Sequence, residues 1–185
     1  MNVTKSVRHV LLLAVVLACA VSLAAAADLG GTRWEIGGFV KSKVKKIGRE
    51  KQDIPTAYLS FEEDGQCELE FSLPGFPVTE AITPVVTIGC TWESGHGRRF
   101  TVNFNDEDLQ DALSLFLGSF FSLTPDELQV TTEKAKGKVS KDLERIKLKV
   151  GLKADVAAEV NGETVNRRMK TKMIFTGTAV EEEGR

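Results

Sequence analysis

From Thr32 onward apolar and polar positions alternate in twos, the period of a strand with one face on a core. Trp34, Ile36, Val40 and Val44 share one parity, and Glu35, Lys41, Lys43 and Lys45 the other. Ala57, Leu59 and Phe61 alternate with Thr56, Tyr58 and Ser60; Cys67, Leu69, Phe71 and Leu73 alternate with Gln66, Glu68, Glu70 and Ser72. Between these two runs, Asp64-Gly65 supplies the positive φ that a tight hairpin needs. A loop with Pro74, Gly75 and Pro77 leads to a strand carrying Val86, Ile88, Cys90 and Trp92. Antiparallel pairing that sets Cys67 opposite Cys90 also sets Leu69 opposite Ile88 and Phe71 opposite Val86. A slip of one residue would turn every one of these apolar groups outward, so cysteines and hydrophobics select one register.

After a turn at Ser94–Gly97, Phe100, Val102 and Phe104 continue the alternation, and then the period changes. Leu109, Ala112, Leu113, Phe116, Leu117 and Phe120 follow the spacing of an amphipathic helix. Asn105 or Asp106 suits its N-cap, and Glu107 and Asp108 suit the positive end of its dipole. Thr124-Pro125-Asp126-Glu127 has the form of a capping box with proline at the first helical position, which predicts a second short helical turn or a sharp corner. Strand alternation returns with Ile146, Leu148, Val150, Leu152, Ala154 and Val156 against Arg145, Lys147, Lys149, Lys153 and Asp155. Asn161-Gly162 predicts a two-residue hairpin. The return strand carries Val165, Met169, Thr171, Met173 and Phe175, and sets Ala154 against Met169, Val150 against Met173 and Leu148 against Phe175.

The expected fold is all-β: about seven or eight antiparallel strands with one amphipathic helix inserted after the fifth. Strands with one apolar face must bury it, and an up-and-down barrel or a strongly curved sheet does so. Closing the barrel also removes exposed edges.

The segment before this domain reads as an export leader. Lys5 and Arg8 precede an apolar run from Val10 to Leu23, and Ala24–Ala27 offers a small-residue cleavage site. Residues 1–27 are expected to be a signal peptide and residues 28–185 a single domain. Val16-Leu17-Ala18-Cys19 loosely resembles a bacterial lipoprotein box, which leaves lipidated export as the alternative to soluble periplasmic or extracellular release. The leader holds Lys5 and Arg8 and no acid, so its loss takes the formal charge from −2 to −4. Cys67 and Cys90 then remain as a pair, most simply a disulfide in an oxidising compartment. His96 is the sole histidine beyond the leader, which excludes a zinc site of His and Cys ligands.

Gly31 and Trp34, at the start of the first strand of an exported chain of this length, resemble the opening of the lipocalins and related calycin barrels. The spacing here is G-x-x-W where that family has G-x-W, and the helix lies mid-chain where the family has it after the last strand. The resemblance implies a barrel whose tryptophan closes one end and whose interior holds a small apolar molecule. On that reading Trp34, Phe71, Trp92, Phe100, Phe104, Met169 and Phe175 line the interior, and Arg167, inward by parity, holds a ligand's polar head. A solid core with Leu113, Phe116 and Phe120 filling the space is the other outcome.

The outward parity is basic on the first and last strands: Lys41, Lys43 and Lys45, then Arg145, Lys147, Lys149 and Lys153, then Arg168, Lys170 and Lys172. If first and last strands pair, these form one wall able to attract anionic headgroups. A small hydrophobic ligand and an anionic membrane surface are thus the expected partner classes, and nucleic acid is not. No nucleophile–base constellation, P-loop or dinucleotide motif is present, and His96 lies in a glycine turn. The chain is expected to be non-enzymatic, without cofactor: a binding protein for an apolar or amphipathic ligand, or an envelope interaction protein acting through its basic wall or a sheet edge.

Overall fold

The computed structural model describes residues 28–72, 85–160 and 163–180. The leader, the Pro74–Pro77 loop and the Asn161-Gly162 turn lie outside them. Eight strands form a closed antiparallel barrel in sequence order: β1 (Thr32–Val44), β2 (Gly48–Phe61), β3 (Gln66–Ser72), β4 (Val85–Ser94), β5 (Arg99–Phe104), β6 (Pro125–Val139), β7 (Arg145–Val160) and β8 (Glu163–Val180). One helix, α1 (Asp106–Phe121), lies between β5 and β6. The barrel closes by pairing β1 with β8.

The registers are those that the apolar pattern requires. Cys67 faces Cys90, Leu69 faces Ile88 and Phe71 faces Val86. Ala154 faces Met169, Val150 faces Met173 and Leu148 faces Phe175. Cys67 and Cys90 form a disulfide across β3 and β4 with a Cα separation of 4.8 Å, a bond compatible with an oxidising, exported environment. The pairing of β1 with β2 shifts between Ile36 and Gly38, so β2 takes an extra residue around Pro55, which has no N–H to give to the ladder.

Each end of the barrel is filled differently. Where β1 begins, Leu29, Trp34, Phe61 and Phe100 are buried together, and Phe61 meets Phe100 edge-on at 5.3 Å. The Trp34 indole donates to the Thr32 hydroxyl at 2.9 Å, which in turn donates to the Leu29 carbonyl at 2.6 Å. Gly31, at a φ of +69°, makes the turn that brings Leu29 back over this end.

Helix α1 fills the opposite end. Its apolar face of Leu109, Ala112, Leu113, Phe116 and Leu117 is buried against inward residues of the barrel. Asn105 caps it, its side chain accepting from the N–H groups of Glu107 and Asp108 at 2.9 and 3.2 Å. Asp108 reaches further, accepting from the N–H of Gly89 on β4 at 2.7 Å and pinning the first turn to the barrel. The helix stops at Ser122, which is left-handed with φ 53°.

The second helical turn expected at Thr124–Glu127 does not form. Pro125 opens β6 and pairs with Ala158 of β7. A proline preset for a helix start is equally suited to the first residue of a strand, and here the long edge of β7 decides between them.

Candidate functional site

The inward residues pack as a core. Trp34, Phe71, Phe100, Phe104, Met169 and Phe175 are all buried. Trp92 is only half-buried: at the barrel rim its ring stands edge-on to Phe61 at 5.4 Å, and its indole donates to the Glu62 carbonyl at 3.2 Å. Of these aromatic residues, Phe71 alone lines the void beneath α1. Trp34, Phe100 and Trp92 close one end, while Phe71 lies under α1 near the other. Between α1 and the barrel is a void of about 30 Å³, lined by Phe71, Leu113, Phe116 and Met173 among others. That volume is of the order of one water molecule. Its polar neighbour, Thr171, is already hydrogen-bonded to Ser42 at 2.9 Å.

Arg167 lies toward the hairpin end of β8, opposite Val156, with the inward parity expected of it. It is half-buried; Nη1 donates to the Asn166 carbonyl at 3.1 Å, and Nε is enclosed without a partner. Among the described residues no carboxylate forms an ion pair with it.

The outer face of β2, β1, β8, β7 and β6 carries a lattice of cations. One row runs Arg49, Lys43, Lys170, Lys153 across four strands. The next runs Lys51, Lys41, Lys172, Gly151, Lys134 across five. Below them Lys149 stands opposite Lys136, and Lys147 opposite Lys138. Neighbouring positions of the lattice are about 5 Å apart across strands and about 7 Å apart along them. Like charges set directly opposite each other destabilise a sheet, so this arrangement costs the fold stability.

Within the lattice is a pocket of about 730 Å³ ringed by Lys41, Lys43, Arg49, Lys134, Lys149, Lys170 and Lys172. Gly151 contributes no side chain to its floor. Glu133 also lines it, at the bulge where β6 shifts register against β7, but its carboxylate is paired with Lys153. Lys51 pairs with Asp53 at 2.8 Å. Among the described residues, none of the seven pocket cations forms an ion pair.

Of the basic residues expected from sequence, Lys41, Lys43, Lys149, Lys170 and Lys172 line the pocket, and Lys147 lies on the same wall beyond it. Lys45 follows β1 in the turn, its backbone N–H donating to the Arg168 carbonyl at 3.0 Å. Sequence reading missed Arg49 and Lys134, because neither the start of β2 nor β6 was recognised as strand. The signal was there in β6: Lys134, Lys136 and Lys138 alternate with Ala135, Gly137 and Val139. Compared with known proteins, the chain matches no family model and no curated protein.

Proposed function

We propose that the protein is a non-catalytic, exported binding protein that attaches through its basic outer wall to an anionic membrane surface. One observation carries this reading: seven cations around one pocket, several directly opposed across strands, with the one carboxylate lining it paired to Lys153 of the same wall. An anionic surface laid over the wall would relieve this repulsion. Each lysine or arginine near an anionic leaflet contributes about 1 kcal/mol, so a wall of this size suffices for reversible attachment.

The carrier reading draws its support from the closed eight-strand architecture, which is compatible with a lipocalin-like fold. Against it stands the small void under α1; an acyl chain would require the helix to leave the barrel mouth. Co-sedimentation with vesicles tests the choice. Binding to vesicles containing phosphatidylglycerol at low salt, lost on pure phosphatidylcholine and weakened by added salt, is expected. Equal binding to both vesicle types would sink the wall reading, and a small molecule released on denaturing the native protein would favour the carrier.

A further inference from the structure

Gly151 occupies the middle of β7, where glycine weakens a strand and needs a reason. Neither strain nor crowding gives one. It is not among the residues with positive φ, and a Cβ placed on it would find its nearest neighbour, the Lys134 carbonyl oxygen, at 4.0 Å. Gly38 is quite different: a Cβ there would lie 1.9 Å from the Ile174 carbonyl oxygen, so close approach of β1 and β8 demands glycine. At Gly151 a side chain fits and would strengthen the strand. What its absence does is leave a hole in the lysine lattice. Lys134 and Lys172 flank it across the strands, and Lys149 and Lys153 precede and follow it on its own face.

We infer that the pocket over Gly151 is a discrete site for a phosphate-type dianion, a phosphomonoester or pyrophosphate group seated on the glycine and held by Lys41, Lys134, Lys149 and Lys172. A compact anion with about two charges and several acceptor oxygens matches four lysines that line one pocket from four strands. A single carboxylate would leave most of them unneutralised. Lysine, a compact point charge on a flexible stem, suits a ligand gripped from several strands at once. The inference rests on the basic wall being a binding face, but it adds a shaped site where the wall alone offers diffuse attraction.

Calorimetric titration of the purified protein with inorganic pyrophosphate at low ionic strength tests it. Gly151→Val fills the floor while keeping every charge, and should weaken pyrophosphate binding by about tenfold or more, the loss expected when charge-assisted hydrogen bonds are displaced. Lys172→Gln should weaken it similarly, and Lys141→Gln, a like charge change in the β6–β7 turn, should leave it unchanged. Native-like binding by Gly151→Val, or equal losses for Lys141→Gln and Lys172→Gln, would overturn the site, as would no measurable binding by the native protein. Vesicles then separate the source of the phosphate. Loss of preference for phosphatidate over phosphatidylglycerol in Gly151→Val assigns a lipid headgroup; loss of pyrophosphate binding alone assigns a soluble phosphate; either supports the site. Vesicle binding retained by a variant that binds pyrophosphate normally would remove the pocket and leave the wall reading intact. Pyrophosphate binding without vesicle binding would do the reverse.

Discussion

Phe100 lies across Gly137 so closely that a Cβ on the glycine would stand 1.8 Å from the ring's Cζ. The two face each other on β5 and β6, and the ring, 2% exposed, is held from its other side by Phe61. Gly137→Ala therefore overpacks the closed end and should cost about 2–3 kcal/mol, read as a lower urea midpoint. Gly151→Ala, with open space at its Cβ, should be neutral or slightly stabilising in the same assay. Similar losses at both positions would contradict this account of the two glycines.

The Cys67–Cys90 bond closes a loop with a sequence separation of 23. Removing it by a Cys67→Ala/Cys90→Ala double change should cost about 3 kcal/mol, or roughly 6–12 °C in melting temperature for a domain of this size. Scanning calorimetry of the oxidised protein and the double variant gives the difference directly.

Lys41 and Lys172 stand directly opposite each other on the closing pair of strands. Lys172→Glu turns repulsion into attraction and should raise stability by about 0.5–1 kcal/mol. The same change should weaken attachment to anionic vesicles. Stability and binding moving in opposite directions is the outcome expected of a surface arranged for a ligand; a variant that loses both would mean that Lys172 is structural.

Phe116 is the largest side chain that α1 places in the barrel mouth, with Phe120 tilted against it at 4.7 Å. Phe116→Ala should cost about 3–5 kcal/mol and enlarge the void beneath the helix. An apolar probe such as benzene should then stabilise the variant and not the native protein, as measured by thermal shift.

Asp142 in the β6–β7 turn accepts from the Ser140 hydroxyl and from the N–H of Glu144 at 3.2 Å. The Ser140 hydrogen bond, then that of Glu144, and the charge of Arg145 hold its carboxyl below the ordinary aspartate value. A carboxyl lowered in the folded state adds stability that is full above the unfolded value near pH 4 and is lost as pH falls through the folded one. The stability difference between the native protein and Asp142→Asn should thus be constant above about pH 4 and shrink below it, in denaturant titrations at stepped pH.

The strands most legible in the sequence were those with large apolar residues on one face, such as β3, β4, β7 and β8, whose registers followed from facing pairs like Leu69–Ile88 and Val150–Met173. Helix α1 was legible from its change of period and from Asn105. Strand β6 was not, since its inward positions include Ala135 and Gly137, small because Phe100 and its neighbours already fill that space. A sequence shows the size of a residue but not what fills the room beside it. The basic wall was half legible for the same reason: its β8, β1 and β7 members announced themselves by alternation, whereas Arg49 and Lys134 entered it only once their strands were placed. Gly151 gave no signal at all; its meaning depends on four lysines from three strands around it.

The hydrogen bond between Ser42 and Thr171 joins residues 129 positions apart, and the whole seam between β1 and β8 is of this kind. The first strand thus has no partner on one side until the last has been made. Contacts so distant in sequence slow the search for the native state, and an unpaired β1 edge waits exposed throughout it. A chain lacking β8 would carry two open edges, on β1 and β7, and should aggregate where the full-length chain refolds. The seam makes completion of synthesis the step that commits the chain to its fold, because the closing partner of β1 is the last strand to emerge.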